Sequence, residues 1–129
     1  HGRDIFAPVA AQLAAGLDFR KLGEEIYDFD TGRLPQSQHH GNEIRGEIVY
    51  VDRFGNLISN IPASELHENI RTKIGTSVIP GLSSCYSDGK AGEPIALAGS
   101  SGCLEVALNL GSASEQLKCS EGEKITVFI

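Results

Sequence analysis

Apolar residues are distributed along the chain in two regimes. In DIFAPVAAQLAA, residues 4–15, Ile5, Val9 and Leu13 recur at helical spacing among alanines, so one face of a helix would be apolar. The pattern predicts a single amphipathic, Ala-rich helix capped by Asp4 and stopped by Gly16, with Pro8 in a first turn that does not need its missing N–H. From Leu17 to Asn42 the apolar positions thin out to Ile26, Tyr27 and Phe29 among Gly, Asp, Gln, Pro and His, which predicts a linker or extended arm. After Asn42 the pattern becomes short strands separated by turn residues. They are EIRGEIVYVD (43–52), NLISNI (56–61), TSVIPGL (76–82), PIALAG (94–99), CLEVALN (103–109) and KITVFI (124–129). Two short helical turns fit between them: PASELHENI (62–70) with Ser64 as cap, and SASEQLK (112–118) with Ser112 and Glu115 at capping-box spacing. The expected fold is therefore mainly β, a small antiparallel barrel or sandwich over residues 43–129 preceded by a helix and a linker.

Bulk properties narrow the function classes. A chain of 129 residues can bury one ordinary core, and 40% hydrophobic with 22% charged residues is a globular composition. The net charge of -6 argues against a nucleic-acid or anionic-membrane surface, because phosphate binding needs a concentrated positive field. No apolar run approaches the roughly 18 residues of a membrane span, and no signal-peptide pattern is present. Cys85, Cys103 and Cys119 are odd in number, widely spaced and without a CxxC pair, which fits reduced, packed thiols in a cytoplasmic chain rather than a disulfide scaffold or a metal site. The adjacent His39 and His40 read as a solvated or disordered pair in a polar loop in preference to a metal site. The chain contains no Met and opens on His1, which suggests a fragment or a processed chain.

Three stretches carry candidate chemistry. In YVDRFGNLISNI (50–61), Asp52 to Asn56 interrupt two strand-like runs. The interruption reads either as a hairpin connection, with Gly55 supplying a positive φ, or as a site for a planar polar ligand. Phe54 would then be the stacking face and Asn56 the donor and acceptor. The loop GSSG (99–102) reads first as a flexible turn; its hydroxyls and unhindered N–H groups would also suit a carboxylate or ribose. Glu105, inside the apolar run CLEVAL, reads as an outward-facing charge on one strand face, with a ligand contact as the alternative. His1, beside a helix N-terminus, reads as a frayed terminal residue or as a positioned base.

Taken together and in order, HGRDIFAPVAAQLAAG (1–16), IRGEIVYVDRFGNLISNI (44–61) and SSGCLEVALNLGSA (100–113) resemble the S-adenosylmethionine hydroxide adenosyltransferase family, the hydrolase relatives of bacterial fluorinase and chlorinase. The resemblance implies an α/β N-terminal domain followed by a C-terminal β-barrel. Residues 1–16 would be the last helix of the first domain, 17–42 the linker and 43–129 the barrel. It also implies cleavage of S-adenosylmethionine by water to adenosine and methionine, with no cofactor, in a homotrimer whose active sites lie between the N-terminal domain of one subunit and the C-terminal domain of the next. By the same resemblance His1 is catalytic, whereas the Asp and Arg that accompany it in the family lie upstream of this sequence. Phe54 and Tyr86 would flank the adenine, Asp52 and Asn56 would contact the methionine part or its ammonium, and Ser100 and Ser101 would lie near the amino-acid carboxylate. The backbone at Asn109 and Leu110 would read the adenine edge. Ser101 stands where the halogenase pattern has Arg, which favours the hydrolase branch. On this view the 129 residues carry half of each site and turn over no substrate alone. The competing expectation is a stand-alone barrel that binds a nucleoside or a partner chain without chemistry.

Overall fold

The computed structural model describes residues 1–28 and 35–129; Phe29, counted above with the linker, lies outside them. The chain divides into two compact units, His1–Gly32 and Arg33–Ile129.

In the first unit a wide helical turn, Gly2–Phe6, runs into α1, Ala7–Ala14, with Pro8 in the opening turn of α1. Asp4 does not cap the helix. The turn closes instead on the carbonyl of His1, which accepts from the N–H groups of Ile5 at 2.9 Å and Phe6 at 3.1 Å. Asp4 lies within the first turn, where the helix dipole favours an acid, and pairs with Arg3 at 2.9 Å. Gly16, at φ +94, follows the end of the helix as expected. Further on, Asp18 accepts the Arg20 N–H at 3.1 Å and caps a short 3-10 turn, Phe19–Lys21.

The second unit is a nearly closed antiparallel barrel. Its strands are β1 (Gln38–His40), β2 (Glu43–Val51), β3 (Leu57–Pro62), β4 (Arg71–Ile74), β5 (Ser77–Pro80), β6 (Pro94–Ala98), β7 (Cys103–Leu108) and β8 (Lys124–Phe128). Their order is β5-β4-β8-β2-β3-β7-β6, with β1 beside the start of β2, and a bridge between Ser83 and Leu97 brings the two ends of the path together. Closing the sheet leaves few unpaired edges. The core is filled from the inward positions of the strands, among them Ile44, Ile48, Leu57, Ile61, Ile74, Leu104, Val106, Ile125 and Val127.

Several local expectations change in this setting. Within the stretch read as linker, Gln38–His40 pair with β2, and His39 Nε2 lies 2.8 Å from Glu65 Oε2. The predicted helical turn over 62–70 shrinks to a 3-10 turn at Ala63–Glu65; Pro62 holds the cap position and Ser64 makes no cap. Residues 71–74, not expected as a strand, alternate exposed and buried and join β5 to β8. Two charges in four residues hide that strand from a reading of hydrophobic runs. The turn at 112–118 forms as expected: α2, Ala113–Leu117, is capped by Ser112, whose hydroxyl accepts the Glu115 N–H at 3.2 Å.

Thr72, on β4, is fully buried, and its hydroxyl has no hydrogen-bond partner among the described residues. An unpaired buried hydroxyl is destabilising, so Thr72→Val should raise stability by about 1 kcal/mol. Urea unfolding followed by circular dichroism reads this; a loss of stability would mean that the hydroxyl is paired.

Strand β7 is buried on both faces, and this positions the site. Leu104, Val106 and Leu108 face the main core, while Ala107 packs with Ile95 and Leu97 in a second cluster. The segment 81–93 covers that second cluster. At Gly89 a side-chain carbon would come within 2.7 Å of Ile95 Cγ2, and Asn109 Nδ2 donates to the Gly89 carbonyl at 2.8 Å. Glu105, opposite Leu97 on β6 and Ile58 on β3, is therefore 5% exposed rather than facing solvent.

Candidate functional site

The turn between β2 and β3 is closed by its own first residue. Asp52 Oδ1 accepts from the N–H groups of Phe54 at 2.8 Å and Asn56 at 2.9 Å, and Oδ2 accepts from Asn56 Nδ2 at 3.0 Å. Asp, Gly and Asn are here for backbone reasons: the acid satisfies the turn's donors, and Gly55 holds φ +81. The turn is also fastened to α2, because Ser114 N–H donates to the Gly55 carbonyl at 2.9 Å. Thus the hairpin reading and the ligand reading of this stretch are compatible. The turn's geometry pushes Phe54 outward, 62% exposed, with the Arg53 guanidinium 4.7 Å from its ring centroid.

Phe54 lines a cleft of about 540 Å³, together with Asp52, Asn56, Tyr86, Ser100, Glu105, Leu108, Asn109, Leu110 and Gly111. Segments far apart in sequence meet there: the β2–β3 turn, the 3-10 turn Tyr86–Asp88, the β6–β7 loop and the end of β7. Of the residues singled out from the sequence, Asp52, Phe54, Asn56, Tyr86, Ser100, Glu105, Asn109 and Leu110 line it. Ser101 does not; it is exposed in the tight turn in which Gly102 N–H donates to the Gly99 carbonyl at 3.0 Å. His1 is exposed in the first unit and is not among the lining residues.

The cleft carries two carboxylates, Asp52 and Glu105, and among the described residues neither Lys nor Arg lines it. Glu105 Oε1 accepts the Tyr86 hydroxyl at 2.7 Å. That hydrogen bond, followed by burial and by the negative charges of Glu105 and Asp52, pushes the Tyr86 phenol up to about 12. Tyr86 is thus a neutral donor throughout the physiological range. Leu110 sits at φ 60 and is 92% exposed, next to a bridge between Leu108 and Gly111. A left-handed, solvent-facing leucine beside a cleft is backbone strain of the kind found at ligand sites. Hydrophobic periodicity foretold neither the burial of Glu105 nor its bond to Tyr86, because the loop covering them is set by tertiary contacts.

The profile of the SAM hydroxide adenosyltransferase C-terminal domain matches residues 46–126. The (R)-S-adenosyl-L-methionine hydrolase of Thermus thermophilus is 40% identical over 128 residues, covering 99% of this chain and 48% of its own length. A fluorinase of Actinopolyspora mzabensis is 28% identical, covering 98% of this chain and 47% of its own. A crystal structure of a conserved Thermotoga maritima protein superposes with a TM-score of 0.81 at 32% identity, over 100% of this chain and 52% of that one. The chain spans about half the length of the curated relatives it matches. With its barrel carrying that domain from strand β2 to β8, the chain belongs to the SAM hydroxide adenosyltransferase family.

Proposed function

We propose that this barrel supplies the substrate grip of an S-adenosylmethionine hydrolase, a reaction that gives adenosine and methionine. The observation that carries the reading is the cleft itself, which gathers two exposed aromatic rings, two acids, two amides and a serine from separate segments. Phe54 and Tyr86 hold the adenine, whose flat π-face needs a ring on which to stack. Asn56 is 7% exposed and turned into the cleft wall, where its amide is fixed by Asp52. Asp52 has three of its acceptor sites filled by the turn and one left on Oδ2 for the substrate's ammonium. Ser100 lies toward the amino-acid carboxylate, with Ser101 beside it in the same turn.

The sulfonium of the substrate is already a good leaving group, so the protein's task is to align water with the breaking C–S bond and to limit its solvation. In this proposal His1 takes part in handling that water, with an Asp and an Arg from an N-terminal domain. A homotrimer pairs that domain with the barrel of the neighbouring subunit. The 129 residues alone then hold ligand without turning it over. A second reading, a barrel that binds nucleoside without chemistry, is favoured by the same cleft and differs only in what accompanies it.

The test is titration calorimetry with adenosine, followed by chromatography of S-adenosylmethionine incubated with the chain alone and with a separately produced N-terminal domain of the Thermus thermophilus relative. Adenosine should bind, and adenosine should form only when the domain is added. An absence of binding would sink the substrate-grip reading. Turnover by the chain alone would sink the half-site part, and binding without turnover in both mixtures would select the second reading.

A further inference from the structure

We infer that Glu105 is the positioning residue of this cleft: a carboxylate beneath the 81–93 loop that acts on the ligand through the Tyr86 ring, which it fixes as one wall of the nucleobase slot. The inference deepens the proposed function and rests on it for the identity of the slot.

Glu105 stands in the middle of β7, paired across the sheet with Ile58 on one side and Leu97 on the other. It is 5% exposed, and no Lys, Arg or His pairs with it among the described residues. A buried carboxylate without a cation is unfavourable unless hydrogen bonds replace its water. The side-chain donor that does so is Tyr86, at 2.7 Å. Room for the acid is made at Gly99, where an added side-chain carbon would lie 2.7 Å from Glu105 Oε2 and 3.3 Å from its Cβ.

Tyr86 needs such an anchor. It starts a one-turn 3-10 helix, Tyr86–Asp88, and its ring is 45% exposed. Other contacts hold the backbone of the loop rather than the ring. Asp88 Oδ2 accepts from the N–H groups of Ser84 at 2.8 Å and Cys85 at 3.1 Å, and Gln116 Nε2 donates to the Gly92 carbonyl at 2.7 Å. The tyrosine hydroxyl ties the ring to strand β7 from within the barrel. Holding a stacking surface in its bound pose reduces the ordering that binding must otherwise impose.

The experiment compares adenosine affinity in this chain with Glu105→Ala, Glu105→Gln, Tyr86→Phe and the Glu105→Ala/Tyr86→Phe double variant. Glu105→Ala and Tyr86→Phe should each weaken binding about 10-fold, the order of one hydrogen bond to a charged group. The double variant should be no weaker than either single one, since both changes release the same ring. Glu105→Gln keeps the volume and an acceptor for the hydroxyl, and should bind within about twofold of the parent. Affinity unchanged in Glu105→Ala would overturn the inference, as would multiplying losses in the double variant. A loss in Glu105→Gln as large as in Glu105→Ala would do the same, because the charge would then act on the ligand directly.

A ligand-free readout separates this from failure of the functional reading. The chain has three tyrosines and no tryptophan, so in a Tyr27→Phe/Tyr50→Phe background the ultraviolet ionisation signal belongs to Tyr86. Its midpoint should lie at about 12 and fall toward 10.0 when Glu105 becomes Gln or Ala. A parent chain that fails to bind adenosine sinks the proposed slot, while this midpoint still decides whether Glu105 holds Tyr86; a parent midpoint near 10.0 overturns the positioning role.

Discussion

Replacing Gly55 by alanine should lower the stability of the barrel by about 2–5 kcal/mol, a large share of what a domain of this size possesses. Two causes add. Gly55 holds φ +81, which costs a residue with a side chain about 1–2 kcal/mol. The new methyl would also lie 2.1 Å from Ser112 Oγ, 2.7 Å from its Cβ and 3.1 Å from its Cα. The hydroxyl could rotate away, but the Cα could not without moving the start of α2. Ser112 would then lose its cap on Glu115, and the Ser114 N–H would lose the Gly55 carbonyl. Overpacking of this kind adds about 1–3 kcal/mol. Urea unfolding followed by circular dichroism measures the sum. Gly122→Ala is the internal comparison: its φ is +87 but nothing lies within 4 Å of the added carbon, so it should show the strain alone. If the two variants lose the same stability, the contact with Ser112 carries no weight. The proposed site would feel Gly55→Ala as well, because Asp52, Phe54 and Asn56 take their positions from the same turn.

Phe54→Ala should have the opposite profile. The ring is 62% exposed, so its removal should change stability by less than about 0.5 kcal/mol. Stacking of a base on an aromatic side chain is worth about 1–3 kcal/mol, so adenosine binding should weaken by roughly 10- to 100-fold. Titration calorimetry on the parent and the variant decides the matter, and equal affinities would remove Phe54 from the site. The Arg53 guanidinium sharpens the expectation: it sits 4.7 Å from the ring centroid and is not a lining residue of the cleft, so it supports the ring without competing for the ligand's place. Phe54 and Tyr86 thus differ in how they are held. The first is set by a local backbone turn, the second by a hydrogen bond to a strand.

That difference also explains which parts of the site are legible in the sequence. The Asp52–Asn56 turn is closed by bonds among its own residues, so the sequence window that shows it contains nearly all of its physics. The capping of α2 by Ser112 is local in the same way. Asp4 misled because two local solutions competed: the His1 carbonyl closed the first turn, and the acid paired with Arg3 instead. Ser100 and Ser101, adjacent in one turn, part company because only one of them faces the cleft. Glu105 was beyond local reading. A charge in an apolar strand ordinarily points to water, and its burial depends on a loop that begins far from β7 in sequence and folds over its outer face.

Near-neighbour chemistry in the chain sets the alphabet of this protein: one Ala-rich helix, a run of short strands with turn residues between them, a net negative charge, and the residues from Asp52 to Asn56 whose spacing closes a turn. These follow from interactions between near neighbours, in which propensity and side-chain period carry most of the information. The pairing order of the strands, the inclusion of Arg71–Ile74 as a strand and the second buried face of β7 were decided only in three dimensions. So was the cleft, because burial is a property of what lies opposite: the same carboxylate that would be an ordinary surface charge on an open sheet becomes, under the 81–93 loop, the partner of Tyr86.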